Sequence, residues 1–339
     1  MRKLLIGTDF LATPAFAEGE LKVYHWFEYI PQELVDKFEA ETGIDVTIDT
    51  YDSNESMLAA LKAGKLGQYD VAVPADFMVG IMAADGMLDS YTPEEVPSHG
   101  NIAAQWMDVP FDAGRTHSIP YQWGSTSFAV NREVYPGDIS SLAILFDPPA
   151  ELQGKINVLD SQNEVLILGS LYLGIPQCSQ DRAQLTALND LLLNAKQHWA
   201  SFGSDTAKDV LVSGDAAAGM IYNGFSAKAR AEGANVEYSY PKEGHVIWMD
   251  NVVLLKDAPN RANALKFMDF LLKPENAAAV TNYAAYSSGV TGVEPFLDDA
   301  IKNSPENNPP GGLTPGVFAQ ACDEETQKLY DAIWTNLKK

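Results

Sequence analysis

The sequence predicts an α/β protein in two halves, each a mainly parallel sheet flanked by helices. Three observations carry this expectation. A strand–helix rhythm runs through residues 21–87, and it restarts near residue 154. The chain has 339 residues, more than one ordinary hydrophobic core holds, so two domains are the natural partition. Strands that alternate with helices imply parallel pairing through crossover connections. In such sheets, ligands sit at the loops beyond the carboxyl ends of the strands.

The elements follow in order. "LKVYHW" alternates as a strand does. "PQELVDKFEAETG" reads as a helix, with Pro31 suited to its first turn and Gly43 to its stop. "IDVTIDTY" alternates through Ile44, Val46 and Ile48. "NESMLAALKAG" is a second helix, "YDVAVPA" a strand and "FMVGIMAADGM" a third helix. In the later half, "GKINVLD", "AAGMIYNG" and "HVIWMDNVVLL" read as strands. "SQNEVLILGSLYLG", "FSAKARAEG" and the single long segment "NRANALKFMDFLLKPENAAAV" read as helices. The extended, aromatic "HSIPYQWGSTSFAVN" and residues 250–255 are where the chain passes between halves. The halves are therefore residues 18–127 with 252–295, and residues 128–251 with 296–339. "NSPENNPPGGLTPG" reads as a surface loop. The last helix, "EETQKLYDAIWTNLKK", sets Leu329, Ile333 and Leu337 on one face.

Composition narrows the function. With 46% hydrophobic residues the chain is globular. A formal net charge of −23 argues against nucleic acid, whose binding needs basic surface. The same charge suits plain solubility as well as attraction of cations. Residues 1–17 read as a secretory signal: Arg2 and Lys3, an apolar stretch interrupted by Asp9, and Ala15-Phe16-Ala17 as the cleavage site. No later run approaches the roughly 20 apolar residues that span a bilayer. The expectation is an exported protein that is not membrane-embedded. In that setting the two cysteines, Cys178 and Cys322, are candidates for a disulfide. Their contexts suggest no metal site.

One stretch, "GHVIWMDNVVLL", places an aspartate inside a buried strand. Period-two alternation points Trp248 and Asp250 the same way. A buried carboxylate is costly unless something meets it: a buried ion pair, a capping contact, or a ligand cation. Further aromatics stand near strand ends, at Trp26, Tyr29, Phe77 and Tyr222, and such rings attract ammonium groups. Glu164 stands at the end of a strand, but Ser161–Glu164 also has the spacing of a capping box. Asp76 reads as the N-cap before "FMVGIM", with a place in the ligand lining as the alternative. The five histidines lie in unrelated contexts, and neither a nucleophile elbow nor a phosphate loop is present. An acid/base pair of Asp250 and Glu164 is the enzymatic alternative, yet no reaction is positively indicated and no cofactor is expected.

The segments "VYHWFEYIPQELVDKFEAETGIDVTIDTYDSNESMLAALKAGKLGQYDVAVP", "IPYQWGST", "LDSQNEV", "MIYNG", "PKEGHVIWMDNVVL" and "FLLKPENA" resemble the periplasmic spermidine/putrescine-binding proteins of ABC transporters. The resemblance runs in order over nearly the whole chain after the signal. It implies a two-lobed periplasmic-binding-protein fold with hinge crossovers and a polyamine held in the cleft between lobes. It also implies a periplasmic location and, as partners, a membrane permease and its ATPase. Carried over by position, the aromatic box falls on Trp26, Tyr29, Tyr222, Trp248 and Tyr286. The acidic ligands fall on Asp250 and Glu164, and a glutamine on Gln320. The chain departs from the family pattern at Ala75 and Phe77, where a hydroxyl and a tyrosine are common. It departs again at Ser161 and Phe225, where carboxylates occur. Fewer acids favour a diamine over a trication, which would leave one charge without a partner. Another cationic or amine-bearing solute is the alternative within the binding class.

Overall fold

The alternation at the start of the chain becomes the strand Gly19–Trp26 in the computed structural model, which describes residues 19–27, 29–51 and 53–339. The signal peptide read over residues 1–17 lies outside the described residues. Gly19–Trp26 pairs in parallel with Ile44–Tyr51, Val23 opposite Ile48, and on its other side with Val71–Ala72. The crossover helix Gln32–Thr42 begins after Pro31 and ends where Gly43 turns left-handed, φ 66°, a conformation glycine adopts without a Cβ penalty.

The sheet orders its strands as 44–51, 19–26, 71–72, 246–254, 118–131, 218–222, 156–158 and 199–202. Pairing is parallel toward both ends. It is antiparallel where Val246–Leu254 meets Val71–Ala72 and Ser118–Asn131, and where Ser118–Asn131 meets Ala218–Tyr222. The two stretches expected to carry the chain between halves are thus the central strands of a continuous sheet.

The hydrophobic residues gather in separate cores. One holds Phe128, Leu145, Val165, Leu188, Met220 and Ile333. Another holds Leu21, Phe38, Val252 and Phe267, and a companion cluster holds Met57, Met82 and Val253. Tyr222 and Phe225 pack, partly buried, against both the first core and the second.

Three local readings need correction, and one helix lies outside them. The segment after residue 260 forms two helices, Arg261–Leu271 and Pro274–Ala284, because Pro274 has no N–H to continue the first. In the last helix, Glu324–Lys338, Leu329 is exposed and Tyr330 joins Ile333 and Leu337 on the buried face. The loop near residue 305 is anchored inward: Glu306 is 1% exposed, and its carboxylate accepts from Arg230 Nε and Nη2 at 3.1 and 3.0 Å and from Ser304 Oγ at 2.6 Å. Helix Arg182–Lys196 was not anticipated, though Asp181 caps it by accepting from the Ala183 and Gln184 N–H groups and Leu185, Leu188 and Leu192 form its buried stripe.

Cys178 and Cys322 are joined by a disulfide across 144 residues of sequence. It ties the segment before the last helix to the loop after helix Gln162–Leu173. Closing so long a loop restricts the unfolded chain, so the double variant Cys178→Ser/Cys322→Ser should lose about 2–5 kcal/mol of unfolding free energy in a denaturant titration. A loss under about 0.5 kcal/mol would show that the bridge does not constrain the unfolded ensemble.

Candidate functional site

Asp250 owes its position to backbone pairing on both sides. On one flank it lies opposite Gln122, and Trp248 lies opposite Gly124. The register then shifts between Asp250 and Asn251, whose partner is Pro120, so Tyr121 and Gln122 together oppose Asp250 across a bulge. On the other flank Asp250 bridges Ala75, and the Asn251 N–H donates to the Pro74 carbonyl at 2.9 Å. Trp248 and Asp250 share one face of the sheet. The other face carries Met249 and Asn251, where buried Arg115 donates to Asn251 Oδ1 at 2.6 Å, to the Trp106 carbonyl at 2.7 Å and to Ser118 Oγ at 3.1 Å.

The Asp250 carboxylate is 9% exposed and accepts from the Tyr29 hydroxyl at 2.9 Å. Among the described residues no basic side chain pairs with it. Burial pushes its pKa from 3.8 up to about 8; the nearby charges of Asp76 and Glu164 add to the rise, and the Tyr29 bond opposes it.

Asp76 is the first residue of helix Asp76–Ala84, and the N-cap position belongs to Ala75, which corrects the reading of Asp76 as the cap. Its Oδ1 accepts from the Phe77 N–H at 2.6 Å, and its Oδ2 reaches across to the Met249 N–H at 2.9 Å. Burial still raises its pKa to about 7 against those two bonds. Ala75 and Phe77 flank it, half-buried.

Glu164 lies in the first turn of helix Gln162–Leu173. Ser161 occupies the N-cap, but its hydroxyl donates to the Glu164 carboxylate instead of receiving a helix N–H, so the capping box is not formed. Burial raises the Glu164 pKa, with the Ser161 bond opposing. The capping account of Glu164 therefore falls away.

The aromatics form a chain of edge-on contacts. Tyr29 meets Tyr286 at 6.0 Å between ring centroids, Tyr286 meets Trp248 at 4.9 Å, Trp248 meets Tyr222 at 6.0 Å, and Tyr222 meets Phe225 at 5.9 Å. Trp26 joins less directly: it packs on Tyr51 at 4.6 Å, and its Nε1 donates to the Val73 carbonyl at 2.8 Å. Two glycines make room. A Cβ on Gly124 would lie 2.6 Å from the Trp248 ring, and one on Gly224 would lie 2.5 Å from the Tyr286 ring.

Gln320 is not brought to this cluster. It is exposed beside the disulfide, where its N–H donates to Gln177 Oε1 at 3.0 Å. Two further tyrosines, without a role in the sequence reading, stand beside this cluster. Tyr51 ends the strand Ile44–Tyr51, and its hydroxyl donates to the Val73 carbonyl at 2.6 Å. Tyr121 sits in the bulge, and its hydroxyl donates to the Tyr29 carbonyl at 2.8 Å. The Asp250 charge adds to burial in pushing both phenols well up. The strand-end rule that found the other aromatics would also have found Tyr51. Chemically, the arrangement sets carboxylates that lack cations beside aromatic rings, a lining suited to an ammonium group.

The chain matches the bacterial extracellular solute-binding protein family over residues 33–309. It is 34% identical over 293 residues to the spermidine/putrescine-binding periplasmic protein of Escherichia coli K12, covering 86% of this chain and 84% of that one. It is 32% identical over 336 residues to the putrescine-binding periplasmic protein SpuD of Pseudomonas aeruginosa, covering 94% and 91%. Among solved structures, the spermidine/putrescine ABC transporter substrate-binding protein PotD of Streptococcus pneumoniae superposes with a TM-score of 0.82 at 29% identity, covering 95% of this chain and 99% of that one. Similarity of sequence and of fold thus extends along most of the molecule, and the chain belongs to the bacterial extracellular solute-binding protein family.

Proposed function

We propose that the chain is the periplasmic solute-receiving component of an ABC importer, and that it holds a polyamine of the putrescine or spermidine kind in a cleft between two lobes. The lobes are residues 18–127 with 252–295 and residues 128–251 with 296–339. A permease and its ATPase receive the solute, and the chain itself carries out no reaction. The observation that carries this reading is Asp250: a buried carboxylate held by Tyr29, on the same strand face as Trp248, with no basic partner among the described residues. The names of the relatives support the solute class. The packing of Tyr222 and Phe225 against both cores supports a cleft at the junction.

Trp26, Tyr29, Tyr222, Trp248 and Tyr286 line this cleft, and Asp250 and Glu164 face the ammonium groups. Asp76 already accepts from two backbone N–H groups, so two carboxylates remain for cations. Together with Ala75, Phe77, Ser161 and Phe225, that allocation favours a diamine. Those four positions also sustain a second reading, a different cationic or amine-bearing solute.

Thermal unfolding of refolded, ligand-free protein tests the reading against putrescine, cadaverine, spermidine, spermine, agmatine and choline. A ligand that binds the native state alone adds about 2.7 kcal/mol at a hundredfold excess over Kd. A raised midpoint with a diamine is expected; silence across the polyamines would overturn the reading.

Calorimetry then separates the carboxylates. Asp250→Asn should weaken diamine binding about a hundredfold and Glu164→Gln about tenfold, since Asp250 is the more deeply buried charge partner. Undiminished affinity in Asp250→Asn would remove it from the site.

Binding should also be linked to protons. Asp250 and Asp76 titrate near 8 and near 7 in the folded chain, above their ordinary value of 3.8. Keeping those protons stabilises the ligand-free fold relative to the ionised forms; that contribution is fully present below about pH 4, declines as pH rises, and is gone above about 7–8. An ammonium needs the ionised Asp250, so affinity should rise from about pH 6 to 8 with proton release. Titrations in buffers of different ionisation enthalpy read that release directly, and Asp250→Asn should reduce it.

A further inference from the structure

We infer that Gln122 is a ligand-contacting residue of this cleft, its amide oxygen accepting an N–H from the same primary ammonium that pairs with Asp250. The inference rests on the reading that the cleft holds an amine.

Gln122 is fully buried, 0% exposed, yet among the described residues neither its Nε2 nor its Oε1 has a hydrogen-bond partner. Interior amides left in this state are rare, because their hydration is lost and nothing replaces it. Its place in the sheet says what it faces. Gln122 lies directly opposite Asp250 on the neighbouring strand, and opposed residues share a face with their Cβ atoms about 5 Å apart. The bulge turns Tyr121 toward the same side, where its hydroxyl meets the Tyr29 carbonyl and Tyr29 in turn meets Asp250. The next residue, Trp123, turns to the opposite face: its ring packs on Trp106 and its Nε1 donates to the Ser288 carbonyl. The amide is thereby directed toward the carboxylate, with unspent donor and acceptor capacity.

The chemistry specifies the ligand group. A primary ammonium offers three N–H bonds, enough for one to Asp250 and one to Gln122 Oε1 while its methylenes lie against Trp248 and Tyr286. A dimethylated, tertiary ammonium keeps a single N–H and can serve only one of the two oxygens. Gln122 therefore discriminates primary amines from N-methylated ones, a distinction that ring faces alone make poorly because they attract both.

The test uses full-length, ligand-free protein, with putrescine and N,N,N′,N′-tetramethylputrescine as probes in calorimetry, and compares the wild type with Gln122→Leu and Gln122→Met. Both variants remove the amide while keeping comparable bulk, so a folding failure in one leaves the other to decide. The expected result is a loss of about tenfold in putrescine affinity. The preference for putrescine over the tetramethyl analogue should narrow, and the ligand-free unfolding midpoint should stay level or rise, because an unsatisfied buried amide is gone. Unchanged putrescine affinity in a folded variant, or a lowered midpoint with the preference intact, overturns the assignment and leaves Gln122 a packing residue. If the wild type binds no amine of the wider panel, the reading of the cleft fails, and this assignment fails with it.

Discussion

The antiparallel pairing of Ser118–Asn131 with Val246–Leu254 is the constraint on which the rest of the structure depends. It welds two parallel sheets into one, and its bulge fixes what stands beside Asp250. A carboxylate in the middle of a buried strand cannot retreat to water, so its neighbours decide its state. On the back of the sheet Asn251 takes a guanidinium N–H from Arg115, and Asp112 accepts from the N–H groups of Thr116, His117 and Ser118, while the buried Trp106 Nε1 has no partner among the described residues. On the front, Asp250 has a single phenol. The two buried carboxylates therefore differ: Asp112 is filled by three backbone N–H groups, and Asp250 is not.

Space on the front face is set by two absent side chains. Gly124 lets the Trp248 ring lie against the strand, and Gly224 lets Tyr286 lie against the start of helix Asn223–Ala231. The rings then contact one another edge-on from Tyr29 through to Phe225. The wall is continuous because each ring is held by the next, and the two glycines transmit a backbone constraint into the shape of the lining.

Much of this was legible in the sequence, and the boundary of what was legible is physical. Period-two alternation alone placed Trp248 and Asp250 on one face, and strand–helix order alone gave the α/β class. Other features depend on a choice between partners that a sequence does not state. Ser161 and Glu164 have capping-box spacing, yet the serine hydroxyl goes to the carboxylate. Asp76 has the look of a cap, yet one of its oxygens goes to Met249, far along the chain. Gln122 carries no local signal, because being without a partner is a property of the assembled sheet. Pro274 and Tyr51 belong to a different class: the missing proline N–H and the strand-end position are both local signals in the sequence.

The carboxylates divide their work by what each already holds. Asp76 has two backbone N–H groups, one from its own helix and one from the central strand, so its charge is spent on fixing that helix start to the sheet. Glu164 has the Ser161 hydroxyl, and Asp250 has the Tyr29 hydroxyl. Each of these two carboxylates keeps lone pairs to spare, since a carboxylate offers about four acceptor sites. Burial and the charge of Glu164 favour the protonated forms of Asp250 and Asp76, and the charge of Asp76 adds to the rise at Asp250. A bound ammonium would replace such a proton at Asp250 with a fixed cation and supply the hydrogen bonds that the proton does not. On this view binding is an exchange of one positive charge for another. In the proposed cleft the aromatic rings would make that exchange selective by keeping out the water that hydrates either form.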